Sequence, residues 1–190
     1  MSPTDTDIVA RAKAGEEEAF RMLVERHSRA VFRLAYRIAG NQHDAEEAVQ
    51  ETFLRVFRSL DRFRGQARFE TWLYRVASNA ALDVVRRRQR HQDRQAPLES
   101  AAGVPLPLAG AAPSPERLTH GKQVGGQIAA AMERLTPGER AAFTLRHLQG
   151  LSIGEIGEAL GLHSNAVKNA IFRAVKKMRQ DLTPIVSEIR

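Results

Sequence analysis

Six histidines, His27, His43, His91, His120, His147 and His163, are the first side chains to test for chemistry. No two stand at His-x-x-x-His, and none pairs with a carboxylate at ligand spacing, so a zinc site has no carriers. There is no cysteine, no glycine-rich phosphate loop and no Gly-x-Ser-x-Gly elbow. We therefore expect no catalytic residue, no metal, no cofactor, no small-molecule substrate and no enzyme activity. Recognition chemistry remains. Asn165, Lys168, Asn169, Phe172, Arg173 and Lys176 crowd one short stretch near the C-terminus. On a helix, Lys168, Phe172 and Lys176 share a face at i, i+4 and i+8, with the other three beside them. Asn and Arg pair with adenine and guanine edges, Phe meets thymine methyls, and cations meet phosphates. The plainer reading is a solvated basic face with one stray aromatic.

The segments before this stretch must position it. Thr136-Pro137-Gly138-Glu139 and Ser152-Ile153-Gly154-Glu155 each write a capping box, with Pro137 at a first helical position. A turn at Gly161 then joins a short helix to a basic one running from about Ser164 to Arg179. That is a helix-turn-helix, whose last helix fits a DNA major groove. Val124, Ile128, Ala131, Leu135, Ala142, Leu145, Leu148, Ile153, Ile156, Leu160, Leu162, Val167, Ile171, Ala174 and Met178 are expected to form its core.

The N-terminal half also reads as helices. A short one begins near Asp5, and a long one follows Gly15 and ends at Gly40-Asn41. The third is expected to start at Asp44, capped with Glu47, and to bury Val49, Phe53, Val56, Phe57 and Leu60. Its outward row is Gln50, Glu51, Leu54 and Arg58; an exposed Leu there hints at a protein partner. The fourth runs from about Arg68 to Arg90 with Phe69, Trp72, Leu73, Val76, Ala80 and Val84 inward. Its polar face, Arg75, Asn79, Asp83 and Arg86, follows Phe63 and a loop at Arg64-Gly65-Gln66. Aromatics near a basic helix can hold unstacked bases, and Asn can read a base edge. An equally simple reading is a helix whose terminal cations complement its dipole. No strand pattern appears, so the fold class is all-α.

Residues 95–121 hold five of the eight prolines and three charged residues, which marks a flexible linker. A short helix is expected to start at Ser114-Pro115-Glu116. The chain therefore divides into domains 1–94 and 122–190, each net +4 within a total of +7. Both halves suit a polyanion. No apolar run approaches the ~20 residues that span a bilayer, so membrane insertion is not expected. The polar, acidic N-terminus is unlike a signal peptide. With no cysteine, a cytoplasmic setting is expected.

Together these residues resemble a bacterial RNA polymerase sigma factor of the extracytoplasmic-function (ECF) group. The run Asp44 to Phe57 is similar to the family's helix for the polymerase clamp. Phe63-Arg64-Gly65 through Asn79 looks like its promoter-melting and minus-ten segment, and the helix-turn-helix like its minus-thirty-five reader. The resemblance implies two small helical domains, a sigma region 2 bundle (1–94) and a sigma region 4 helix-turn-helix (122–190). It implies polymerase contacts at Asp44, Glu47, Gln50, Glu51 and Leu54. It implies DNA contacts at Phe63, Trp72, Arg75, Asn79, Arg86, Asn165, Lys168, Asn169, Phe172, Arg173 and Lys176. Its implied partners are core RNA polymerase, minus-ten and minus-thirty-five promoter DNA, and an anti-sigma factor that restrains it near the membrane until a stress or envelope response. The implied place is the bacterial nucleoid. Trp72-Leu73 stands where housekeeping relatives have paired aromatics, which implies weaker melting and stricter promoter choice. Lys168-Asn169-Ala170 replaces a commoner Arg-Ser-Arg-like run. Two rivals make other forecasts: a stand-alone helix-turn-helix regulator would hold duplex DNA without polymerase, and a membrane-surface protein would use the helix from Trp72 to Arg90.

Overall fold

A computed structural model describes residues 3–65, 67–95 and 126–188. Among them every regular element is helical, so the fold is all-α. Helix α1 (Asp5–Lys13) starts at Thr4, which shares a capping box with Asp7. Helix α2 (Glu17–Ala39) stops at Gly40, whose φ of 82° is left-handed and suits a residue without a Cβ.

Helix α3 (Gln42–Ser59) begins earlier than expected. Its N-cap is Asn41, whose side-chain oxygen accepts the Asp44 N–H at 2.9 Å. Asp44 therefore sits inside the first turn and is not the cap. The sequence offered two Asx residues in that turn, and the chain used the one that follows the left-handed glycine. A 3-10 turn (Leu60–Arg62) leads to the loop before α4 (Phe69–Gln95). Helix α4 runs one residue past the expected domain edge.

Helix α5 covers residues 126–133. Helix α6 (Pro137–His147) and helix α7 (Ile153–Leu160) start at the two capping boxes as read. Helix α8 (Ser164–Glu188) runs nine residues beyond the expected end. The expected linker lies outside the described residues apart from residue 95, as do Val124 and the short helix expected at Ser114.

Helices α2, α3 and α4 pack on one another, and α1 lies on α2. They bury Leu23, Val31, Leu34, Ile38, Val56, Leu73 and Val84 completely or nearly so. Truncating one such side chain typically costs ~2–5 kcal/mol. This core continues into the C-terminal half. Helix α6 packs on α2 and α7 on α4, and Leu145, Ile156, Val167 and Ala170 join the same apolar cluster. A second cluster of Ala131, Leu135, Ala174 and Met178 ties α5 to α8.

Four residues expected inside lie outside: Phe57 (66% exposed), Ile128, Leu148 and Leu162. Phe57 and Ile128 lie within helices, whereas Leu148 caps the end of α6 and Leu162 lies in the turn before α8. Periodicity gives the direction of a stripe but not how much of its width a neighbour covers.

Candidate nucleic-acid interface

The C-terminal site is built from two helix starts and one turn. Ser152 and Glu155 exchange hydrogen bonds across the first turn of α7, at 2.8 and 3.2 Å. Gly161, at φ 66°, closes α7 in the left-handed region, and the Leu162 N–H donates to the Gly157 carbonyl at 2.9 Å. A Cβ on Gly157 would lie 2.7 Å from the Leu162 carbonyl oxygen, so only glycine allows this close approach of turn and helix. Helix α8 then turns Val167, Ala170, Ala174 and Met178 inward. Asn165, Lys168, Asn169, Phe172, Arg173 and Lys176 all face solvent. Phe172 is 68% exposed, a cost in water that a thymine methyl or sugar would relieve.

In the sequence Glu139 is half of a capping box; in the structure it does more. It closes that box by accepting the Thr136 N–H at 3.0 Å. It also accepts from Arg173 Nε at 3.0 Å and Lys177 Nζ at 2.8 Å while nearly buried. Burial alone would raise its pKa, but the bonds from Lys177, the Thr136 backbone and Arg173 outweigh it and hold the group at about 2. Arg173 is thus tethered through Nε while its side chain stays 58% exposed. No sequence pattern could find this, because Glu139 and Arg173 are 34 residues apart.

The N-terminal site gathers around the start of α4. Phe63, Phe69 and Trp72 form an aromatic cluster with ring centroids 5.3–5.8 Å apart. Lys13 Nζ donates to the Phe63 carbonyl at 3.0 Å and steadies the loop. Phe63 and Trp72 are half-buried, and so is Asn79, seven residues on from Trp72 and on the same helix face. Arg86 is exposed and pairs with Asp83 at 3.6 Å. Arg75 points elsewhere: Nη1 lies 3.6 Å from Glu158 on α7.

On α3, Gln50 and Leu54 are exposed, and Phe57 extends their face edge-on to Phe20, with centroids 5.2 Å apart. Glu51 is half-buried and bound to Arg55 at 2.7 Å, and Arg55 reaches Asp83 of α4 at 2.9 Å. Glu47 pairs with Arg87 at 3.0 Å. Asp44 does not present a free carboxylate. It is buried, takes Arg88 at 2.6 Å and receives Asn41 Nδ2 at 3.0 Å, so it fixes the helix start. Phe57 is the surface residue the sequence reading missed on this face. A groove between α2 and α3, floored by Phe32 and Val49 and rimmed by Arg29, Arg33, Glu46 and Gln50, borders it. No described helix is long and apolar enough to cross a membrane.

This is a two-part helical protein with a helix-turn-helix behind an α-helical bundle, and both parts match known families. Residues 23–91 match sigma-70 region 2 and residues 125–178 match sigma-70 region 4. The chain is 42% identical over 166 residues to the ECF RNA polymerase sigma factor SigE of Mycolicibacterium smegmatis. That match covers 87% of this chain but 62% of the relative, so the chain spans under two thirds of that protein's length. It is 31% identical to the ECF RNA polymerase sigma-E factor of Escherichia coli over 96% of both chains. Its fold is similar to CnrH, solved in complex with the cytosolic domain of CnrY, at a TM-score of 0.61 and 27% identity, covering 95% of this chain and 97% of that one. It also matches the fold of RpoE of Bartonella quintana, solved with the anti-sigma factor NepR, at a TM-score of 0.64 and 19% identity over 86% and 96% of the two chains. The chain belongs to the ECF family of RNA polymerase sigma factors.

Proposed function

We propose that this protein binds core RNA polymerase and directs it to a restricted set of promoters. Domain 1–94 takes the polymerase and the minus-ten element, and domain 122–190 takes the minus-thirty-five element. The observation that carries this reading is the exposed row Asn165, Lys168, Asn169, Phe172, Arg173 and Lys176 on a helix that follows two box-capped helices and is tied to α6 through Glu139. Such a row has the size and donor chemistry of a major-groove reader. The Gln50–Leu54–Phe57 face is the polymerase contact, with Glu47 and Glu51 at its edge. Asp44 supports that face from within. Phe63, Trp72, Asn79 and Arg86 meet the minus-ten strand, where partly exposed rings give an unstacked base a surface. Arg75 joins them once Glu158 lets go.

An inhibitory protein partner fits the closed packing of α6 on α2 and α7 on α4. Promoter boxes lie well over one DNA turn apart, and a turn is ~34 Å, so two domains packed side by side cannot reach both. The connection of about 27 residues spans at most ~90 Å at ~3.3 Å each, enough to let them part. A binder that holds the closed form, as CnrY's cytosolic domain accompanies CnrH, would keep the protein silent. The deciding test is run-off transcription with purified core enzyme on promoter libraries. New start sites dependent on this protein are expected. Tight duplex binding without polymerase, and no effect on start sites, would instead establish a stand-alone regulator.

A further inference from the structure

The arginine of the exposed α8 row is gripped by a carboxylate on another helix. Glu139 Oε1 accepts from Arg173 Nε at 3.0 Å. Its Oε2 accepts from the Thr136 N–H at 3.0 Å and from Lys177 Nζ at 2.8 Å. Both oxygens are occupied, and the Glu139 side chain is only 4% exposed. A carboxylate held on both oxygens does not turn with the side chain it binds, so it anchors Arg173. Among the described residues neither Nη nitrogen of Arg173 has a hydrogen bond or ion pair.

That leaves a fork with two possible uses. Nη1 and Nη2 can donate together to O6 and N7 of guanine, the commonest specific contact of an arginine. They can also take a phosphate, which carries no sequence information. A free arginine has the rotamer freedom to do either. Anchoring Nε removes much of that freedom before DNA arrives, so ordering the side chain costs less on binding. Glu139 also lies between two cations, Arg173 and Lys177, that stand at i and i+4 and would otherwise repel. Its charge weakens their sequence-independent attraction to phosphates. Both effects favour discrimination between bases over general affinity for DNA.

We propose that Glu139 is a specificity-determining residue of the minus-thirty-five contact: by holding Arg173 through Nε, it directs the Nη pair to one guanine of the element. This rests on the minus-thirty-five assignment of α8. Glu139 is a positioning residue, because it acts on DNA only through Arg173.

Full-length protein assembled with core polymerase tests it, on promoters that carry each base in turn at every minus-thirty-five position. Arg173→Ala in this set marks the position that Arg173 reads. At that position alone, Glu139→Gln is expected to lower the preference for guanine roughly 2- to 12-fold, the effect of having to order one long side chain. Affinity for duplex without a promoter should hold or rise, with a steeper salt dependence. A helix α6 that had merely lost its start would lose both affinities. In an Arg173→Ala background, Glu139→Gln should change no base preference, because the effect belongs to the pair. Glu139→Leu fills the same buried space without a charge and should give the same loss, which keeps the test open if the Gln variant is too unstable to assay. An unchanged guanine preference in the Glu139 variants, or a loss that persists without Arg173, overturns the proposal and leaves the promoter reading intact. If Arg173→Ala itself alters no base preference, the minus-thirty-five assignment of Arg173 falls, and this inference with it.

Discussion

Glu139 joins local and long-range structure in a single carboxylate. It begins α6 by capping and ends by fixing two cations of α8. Its pKa of about 2 lies below the usual 4.5, so its charged form is favoured in the folded state. The stability this gives is fully present above pH ~4.5 and is lost as pH falls toward 2. Glu139→Gln should therefore melt well below wild type at neutral pH. The two melting temperatures should converge as pH drops through that window, which calorimetry can follow. At the surface, Phe172→Ala or Arg173→Ala should weaken binding to the minus-thirty-five element by ~1–3 kcal/mol, roughly 5- to 150-fold. Core polymerase affinity should stay unchanged in the same titration. If core affinity fell instead, the division of labour between the two domains would be wrong.

At the scale of elements, the turn between α7 and α8 sets where helix α8 points. Gly157→Ala would push a methyl into the Leu162 carbonyl at 2.7 Å, and backbone must move to relieve it. We expect a stability loss of more than ~1 kcal/mol and a large fall in minus-thirty-five binding, with core binding kept. Promoter-binding measurements on the assembled holoenzyme beside core-binding titrations would show the split. Helix α3 makes the opposite forecast. Leu54 is 50% and Phe57 66% exposed, so replacing either with Asp should cost little folding stability. It should remove core binding while sparing duplex binding, and a pull-down with core enzyme reads it directly. A protein that unfolded on Phe57→Asp would return that ring to the core, where the sequence pattern had put it.

For the whole molecule, the informative contacts join the two halves. Arg140 of α6 is buried with its guanidinium against the end of α2, where a Cβ on Gly40 would lie 2.8 Å from Nη1. Burial first, and then the nearby Arg88, lower its pKa, so its charge is held at a cost. Arg75 and Glu158 add an exposed pair across the same seam. Exposed pairs contribute little, so the seam rests on apolar packing of α6 and α7. Fluorophores on α3 and α8 should therefore move apart when core polymerase binds. Leu145→Ala, which thins the shared core, should raise the fraction of open molecules before polymerase is added. Identical separations in free and bound protein would rule out the opening.

The helices are legible in the chain, because caps and apolar periods act within a few residues. Thr136, Ser152, Gly40 and Gly161 each do their work in their own turn. The exposed row of α8 was equally legible, since a helix with one buried face must show the other. Packing set what depends on distant neighbours. It chose Asn41 over Asp44 as the cap and buried Asp44 beneath Arg88. It left Phe57 uncovered, clamped Arg173 to Glu139 and turned Arg75 toward Glu158. It also laid α6 on α2 and α7 on α4, where the sequence had offered two domains on a tether. Such choices depend on which surface each side chain meets, and residues far apart in the chain supply that surface.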